Sequence, residues 1–245
     1  MNEMLFYDLK ARSGLTLSLC SQVASEMGRR IVTGRYAPGS LVDDEGTLSE
    51  RFQVSRTVIR DAVKILVGKG LLDVRRGIGT RVKDRRDWGL LDDDVLAWQL
   101  SGPPEASTLQ QLMEVRQVFE PRGARWAASR ASVEDLQEIG AACDLMDADI
   151  NNAEQFVVAD ARFHRAVLRA AHNEFLSALD GVIYSTLLFS IRLTNPNTEA
   201  NALSLPLHRS VYEAIKSGDT SLAESRMNDL LEDASRRMSE LAPTS

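Results

Sequence analysis

The sequence of 245 residues has few cysteines and no long apolar segment. Its two cysteines, Cys20 and Cys143, lie far apart and form no CxxC pair, so we expect two reduced thiols and no disulfide framework. No apolar run approaches the roughly 18 residues that span a bilayer. The first 15 residues are interrupted by acidic side chains and lack the apolar core of a signal peptide. These absences predict a cytoplasmic protein that does not enter a membrane.

Glycine-rich phosphate-binding motifs and internal repeats are also missing. The chain has neither a P-loop nor a GxGxxG motif, and no alternation of strands and helices, so no nucleotide-binding sheet is expected. Its length suits two domains, since single cores typically hold about 100–150 residues. We expect a first domain over 1–82, a linker over 83–104 and a second domain over 105–241. Trp88 and Trp98 should pack the linker against a domain.

The charge is divided unevenly between these parts. The whole chain has a net charge of −6. Residues 1–82 hold 13 basic and 9 acidic residues, a net of +4, whereas the remainder holds 16 and 26, a net of −10. A basic excess confined to one part indicates a nucleic-acid partner. Solvated surfaces show such an excess too, so the argument needs a motif.

Three short helices are predicted in the first 69 residues. Apolar residues at helical spacing predict the first over 15–33. Thr47, with Glu50 three residues later, matches a capping box and should begin the second helix. Ser55 should cap the third, which runs to about Lys69. Its expected apolar face comprises Val58, Ala62, Ile65 and Leu66. Only two residues separate the last two helices, which is the helix-turn-helix pattern.

A β-hairpin should follow the third helix. Leu72 and Val74 alternate with polar residues, a turn containing Gly77 and Gly79 comes next, and 80–82 forms the returning strand. The hairpin is basic, and a basic hairpin directly after a helix-turn-helix is a candidate wing.

The start of the third helix carries the side chains expected to contact DNA. Arg56 and Arg60 are four residues apart and share one face, and an arginine can bond both O6 and N7 of guanine. Ser55 and Thr57, with the backbone amides of the helix start, suit phosphate oxygens. The alternative is that both arginines are solvated helix charges paired with Asp61 or Glu50. The full predicted DNA-binding set is Ser55, Arg56, Thr57, Arg60, Arg75, Arg76 and Gly77.

The C-terminal half is predicted to be helical throughout. The expected helices are 106–130, 132–150, 153–172, 174–194, 202–217 and 219–241. Ser132, with Asp135 at the capping-box position, should begin the second of them. The fold class is therefore mainly α, an N-terminal winged helix-turn-helix followed by an all-α six-helix bundle.

A metal centre is predicted within this bundle. Asp160 and His164 are four residues apart and point the same way from one helix, and a bundle can bring His208 opposite them. One carboxylate and two imidazoles can hold a divalent metal, with zinc the first candidate, and leave positions open for the oxygen atoms of a ligand. A hydrogen-bonded polar pocket is one alternative. A metal-dependent enzyme is another, although no general base or nucleophile motif accompanies the cluster.

Residues 15–82 resemble the winged helix-turn-helix of GntR-type regulators, through the stretches 31–39, 48–62 and 76–82. The second half resembles the FCD domain of the FadR branch of that family, through 115–121, 160–164 and His208. The resemblance implies a homodimeric, ligand-responsive repressor that binds double-stranded operator DNA and is released by a small carboxylate effector. It also implies a pocket arginine at Arg116. Arg192 and Asn195 are further effector-binding candidates, for which a surface role is an equal alternative.

The sequence departs from the family pattern at two places. The family usually has Leu-Pro-Ser-Glu where this chain has Val42-Asp43-Asp44-Glu45, and Gly46 stands where some members place a basic DNA-contacting residue. A third histidine of the family, on the last helix, is replaced by Leu230. We therefore expect a different operator preference and at most three protein ligands for a metal. Residues 87–98 resemble the linker of sugar-acid regulators, which suggests an aldonate or related hexonate as the effector.

Overall fold

The computed structural model describes residues 18–100, 106–179, 184 and 198–241, and the chain divides into two compact units, Met1–Pro104 and Glu105–Ser245. The mainly α fold class predicted above is confirmed. None of the described helices combines the length and the apolar character that crossing a membrane requires.

The first unit is a three-helix core with a hairpin and two further short helices. Its elements are α1 (Leu19–Val32), α2 (Glu45–Phe52), α3 (Arg56–Gly68), β1 (Leu72–Arg75), β2 (Gly79–Val82), a 3-10 helix (Arg85–Asp87) and α4 (Asp93–Leu100). The strands pair antiparallel, and Leu41 adds a short bridge to Arg81 on β2. Met27, Ile31 and Leu66 are fully buried where α1 and α3 pack together. The predicted helix-turn-helix and wing are therefore both present.

The N-terminus of α2 differs from the prediction. Thr47 is not the cap, because Asp44 takes that role and the helix begins at Glu45. The Asp44 carboxylate accepts hydrogen bonds from the amides of Gly46 (2.8 Å) and Thr47 (3.1 Å), and from the Thr47 hydroxyl (2.9 Å). These bonds, with those from Thr47 the strongest, lower the pKa of Asp44. A carboxylate caps a helix at least as well as a hydroxyl, and it also interacts favourably with the helix dipole.

The recognition helix α3 begins as predicted but turns a slightly different face to the core. Ser55 is its N-cap, and the Ser55 side chain accepts a hydrogen bond from the Val58 amide. The fully buried positions are Ile59, Ala62, Val63 and Leu66. Val58 and Ile65, also predicted on the apolar face, are half-buried and pack against the edge of this core. The buried positions follow i, i+3, i+4, i+7 spacing, which centres the face on Ile59 and Val63.

The segment expected to be a linker is folded onto the helix-turn-helix. Trp88 and Trp98 are both buried in the core of the first unit. The ammonium group of Lys69, at the C-terminal end of α3, bonds the carboxylate of Asp92 at 2.7 Å and that of Asp94 at 2.9 Å, and it lies 5.7 Å from the ring centroid of Trp98. The end of the recognition helix is thus attached directly to α4 and the residues before it.

Gly28 is expected to be intolerant of any side chain. A Cβ there would lie 2.3 Å from two atoms of the Trp98 ring, so Gly28→Ala must displace that buried ring. We expect a loss of about 1–3 kcal/mol in the free energy of unfolding, as in other overpacked cores. Gly68→Ala in α3 is the matched control, because nothing lies within 4 Å of its Cβ position. It should gain up to about 1 kcal/mol from helix propensity. Urea unfolding of both variants measures the difference, and equal effects would contradict the packing argument.

The second unit is a helical bundle. Its described helices are α5 (Ala106–Arg130), α6 (Val133–Ala148), α7 (Ala153–Ala170), α8 (Glu174–Ser177), α9 (Thr198–Lys216) and α10 (Thr220–Leu241). The Ser132–Asp135 capping box at the start of α6 is confirmed. Helix α9 begins at Thr198, four residues before the predicted start at 202. Most of the predicted helix over 174–194 lies outside the described residues.

Candidate functional site

The predicted DNA-contacting residues form one exposed surface on the first unit. Ser55, Arg56, Thr57 and Arg60 lie at the start of α3, and all four side chains are exposed. The Ser55 hydroxyl is engaged in the helix cap, so its other contacts must be compatible with that bond. The start of the helix also presents backbone amides, which suit phosphate oxygens. The arrangement can therefore bind both the backbone and the bases of DNA.

Arg60 is held by a residue of the neighbouring helix. Its Nε donates to both carboxylate oxygens of Glu45, at 2.9 and 2.8 Å. The pair connects the first residue of α2 to the exposed face of α3. The alternative considered from the sequence placed Arg60 with Asp61 or Glu50, and the structure does not show that pairing.

Arg56 has a different environment. Its guanidinium lies over Gly46, and a Cβ at Gly46 would be 3.3 Å from Nη2 of Arg56. The absence of a side chain at position 46 therefore leaves the space that Arg56 occupies. Asp43 bonds Arg51, which is outside the predicted DNA-binding set, at 2.6 Å.

The wing residues differ in whether their side chains already bond other groups of the protein. Arg75 bonds the neighbouring Asp73 at 2.8 Å, and Arg76 and Gly77 form the exposed tip of the hairpin. Arg81 donates to the carbonyl of Gly39 at 2.7 Å, which holds the returning strand against the turn before α2. The tip at Arg76 and Gly77 is thus the part of the wing most available to DNA.

The predicted metal ligands come together inside the bundle. Oδ1 of Asp160 lies 3.2 Å from Nε2 of His164 and 3.3 Å from Nε2 of His208. All three side chains are buried. The ring of Phe163 packs edge-on against both imidazoles, with centroid distances of 5.4 and 5.0 Å. One carboxylate oxygen and two ring nitrogens therefore converge on a single point.

The far side of each imidazole is held by an acceptor that the sequence analysis did not assign. Nδ1 of His164 contacts the Glu120 carboxylate, and Nδ1 of His208 lies 2.9 Å from the carbonyl oxygen of Ser204. Each ring thus has its Nδ1 next to an oxygen atom and its Nε2 directed toward Asp160. The signal for Glu120 was its i, i+4 spacing from Arg116 in the 115–121 stretch.

Arg116 lies beside this cluster, as predicted for a pocket arginine. It is only 2% exposed. Its Nε donates to Glu120 at 2.5 Å, and its Nη2 lies 3.5 Å from Nε2 of His164. One side of the guanidinium is thus occupied by Glu120, and the other side faces the point where the ring nitrogens converge.

The charges in the cluster favour a cation at that point. Burial opposes ionisation of Glu120, but the Arg116 guanidinium and His164 outweigh it and lower the pKa of Glu120 to about 2. Burial likewise opposes ionisation of Asp160, and His208 and His164 lower its pKa. Burial opposes protonation of His164, yet Glu120 and Asp160 raise its pKa. Arg116 compensates one of the two buried carboxylates, and a proton on an imidazole or a divalent ion can compensate the other.

The donor set fits a divalent metal with three protein ligands. Imidazole Nε2 and carboxylate oxygen are common zinc ligands, and a second hydrogen bond from Nδ1 to a carboxylate or carbonyl is typical of histidines that bind metal. Leu230, at the position of the fourth family ligand, is a buried apolar side chain of the bundle core and donates nothing. Arg192 and Asn195 lie outside the described residues.

Comparison with known proteins decides the family. The model described as bacterial regulatory proteins, gntR family, matches residues 19–82, and the FCD domain model matches residues 111–233. The galactonate operon transcriptional repressor of Escherichia coli (strain K12) is 35% identical over 93% of this chain and 100% of its own length. The chain belongs to the GntR family of bacterial regulatory proteins.

A further relative and two solved structures are also similar to this chain. The transcriptional regulator LutR of Bacillus subtilis (strain 168) is 31% identical over 80% of this chain and 90% of its own length. The solved structure of Lar, which controls the agr system of Listeria monocytogenes, has a TM-score of 0.67 at 19% identity, covering 92% of this chain and 99% of that one. A GntR protein of Streptococcus agalactiae has a TM-score of 0.50 at 24% identity, over 89% and 99% of the two chains.

Membership of the GntR family establishes the class of function. The protein is a ligand-responsive, DNA-binding transcriptional regulator. The enzyme alternative built on Asp160, His164 and His208 is wrong, because the family and the relatives are regulators.

Proposed function

We propose that the protein represses an operon for sugar-acid catabolism and leaves its operator when a small carboxylate binds beside a metal in the FCD domain. The observation that carries the proposal is the convergence of Oδ1 of Asp160 with Nε2 of His164 and His208 next to Arg116. That arrangement supports a buried site with three metal ligands and an anion-binding group.

The DNA-binding part of the proposal rests on the exposed surface of α3 and the wing. The assigned contacts are Ser55, Arg56, Thr57, Arg60, Arg75, Arg76 and Gly77. A recognition helix places its first residues against base edges in the major groove, and two helices reach successive grooves only from a dimer. We therefore propose a cytoplasmic homodimer on a near-palindromic operator.

Asp160, His164 and His208 would hold the divalent metal, with zinc the first candidate. Three protein ligands leave coordination positions open, and a bound metal supplies a Lewis-acidic centre for the oxygen atoms of a ligand. Glu120 and the Ser204 carbonyl orient the two imidazoles. Such outer contacts typically contribute about 10–100-fold to metal affinity.

The effector is proposed to be an aldonate or related sugar acid. Nη2 of Arg116 lies on the side of the proposed metal position, and a guanidinium next to a cation is stabilised by an anion that contacts both. The galactonate operon repressor is 35% identical over 93% of this chain, which supports a sugar acid in particular. Arg192 and Asn195 remain predicted effector contacts.

The signal must change the affinity for DNA. An effector shifts an equilibrium only if it binds one arrangement of the protein better than another. The predicted linker, residues 83–104, contains α4. Lys69 connects the end of α3 to Asp92 and Asp94 in this segment. A displacement of this segment would therefore act on the recognition helix itself.

Band-shift titrations test the proposal. The protein should bind a duplex from the intergenic region upstream of its own gene with an affinity that falls steeply with salt. Aldonates should release it, and a chelator should abolish that release. Release by aldonates that is equal with and without chelator would contradict the role of the metal. The absence of a salt-sensitive specific band would contradict the function as a whole.

A further inference from the structure

The three acidic residues before and at the start of α2 each have a separate task. Asp43 bonds Arg51, Asp44 caps α2, and Glu45 bonds Arg60. The first two tasks lie within the α2 region, whereas Glu45 reaches a DNA-contacting residue fifteen positions away on α3. Its role therefore concerns the recognition surface and not only the helix that contains it.

The geometry of the pair leaves the DNA-binding side of Arg60 free. Glu45 contacts only Nε of Arg60. The two terminal nitrogens of the guanidinium form no hydrogen bond or ion pair with any of the described residues. Those two nitrogens form the pair of parallel donors that bonds O6 and N7 of guanine. Glu45 thus occupies the one edge of Arg60 that this contact does not need.

A fixed guanidinium has a smaller entropic cost of binding. A free arginine side chain loses rotamer entropy when it binds, and less is lost when the group is already oriented. As a source of fold stability the pair is weak, because the side chains of Arg60 and Glu45 are 63% and 43% exposed. The pair is thus better suited to orienting Arg60 than to stabilising the fold.

We propose that Glu45 is a specificity-determining residue, a positioning residue that orients Arg60 toward a guanine of the operator. The inference rests on the proposed function. It predicts effects of opposite sign for two kinds of DNA. Loss of an acidic side chain from a DNA-facing surface should leave non-specific binding unchanged or stronger, because phosphate repulsion falls. Loss of the orientation of Arg60 should weaken specific binding.

The experiment compares Glu45→Ala with Asp43→Ala, which removes a neighbouring carboxylate and its arginine pair without touching Arg60. Affinities are measured by fluorescence anisotropy for a duplex that the unaltered protein selects from a random library, and for a scrambled duplex of equal length. We expect Glu45→Ala to lower the ratio of specific to non-specific affinity by about fivefold or more. Asp43→Ala should leave the ratio unchanged.

The same measurement with Arg60→Ala tests whether Glu45 acts through that arginine. In the Arg60→Ala background, Glu45→Ala should produce no further loss, since contacting residues are not additive. An unchanged or higher ratio for Glu45→Ala, or an equal loss in both backgrounds, would overturn the inference. Failure of the unaltered protein to select any duplex would instead contradict the proposed function, and the inference would fall with it.

Discussion

Arg60→Ala is expected to weaken binding to the selected operator by about 1–3 kcal/mol, or roughly 5- to 150-fold in Kd, the scale of a lost bidentate contact with guanine. The side chain is exposed at the start of the recognition helix and fixed by Glu45, so its guanidinium is already directed outward. Folding should be unaffected, because the ion pair is solvated. Anisotropy titrations on the selected duplex measure the change.

Arg60→Lys is the informative companion variant. Lysine keeps the positive charge and the attraction to phosphates but loses the two parallel donors. We expect it to retain the non-specific affinity and the salt dependence of the unaltered protein, while discrimination at one base position falls as in Arg60→Ala. If Arg60→Lys binds the operator as tightly as the unaltered protein, Arg60 contacts phosphate alone.

The features that the sequence predicted well depend on residues only a few positions apart. The Ser55 cap and the Ser132–Asp135 capping box are local exchanges of hydrogen bonds, and the side chains alone indicate them. Gly34 and Gly70 follow the ends of α1 and α3 with positive φ, a conformation for which glycine after a helix is the usual residue. Local capping patterns of this kind do not depend on how the helices pack against one another.

The features that the sequence did not predict depend on the angle between helices. Glu45 reaches Arg60 only because α2 and α3 cross with the start of one beside the exposed face of the other. Glu120 lies on α5 and contacts His164 on α7. Its i, i+4 spacing from Arg116 indicates the contact with Arg116 but carries no information about the contact with His164. The misplaced cap at Thr47 has a simpler cause, since two good capping residues stand three positions apart and the carboxylate prevails.

The convergence of Asp160, His164 and His208 combines both kinds of information. The i, i+4 spacing of Asp160 and His164 fixed their common direction in advance. The position of His208 opposite them follows from the packing of α7 and α9, whereas the sequence established only that a helical bundle could bring it there. The structure then shows why both rings present Nε2, because Glu120 and Ser204 hold the opposite nitrogens.

His208→Ala is expected to abolish the stabilisation of the protein by zinc. The substitution removes one of three converging ligands, so the loss in metal affinity should exceed the roughly 10–100-fold that removal of an outer contact typically causes. In the unaltered protein, zinc should raise Tm by binding the folded state, and His208→Ala should lose that shift. Thermal unfolding with added zinc and with chelator, together with isothermal titration calorimetry, measures both quantities.

His172→Ala is the matched control, since His172 is the one histidine of the three in the sequence that does not belong to the cluster. His172 is exposed and bonds Asp135 at 2.8 Å, outside the cluster. Its removal should leave the zinc-dependent shift intact. The first unit should still bind DNA in both variants, but only His208→Ala should fail to leave the operator when a sugar acid is added. An undiminished zinc shift in His208→Ala would show that the metal binds elsewhere, and the buried cluster would then be a polar pocket held by hydrogen bonds alone.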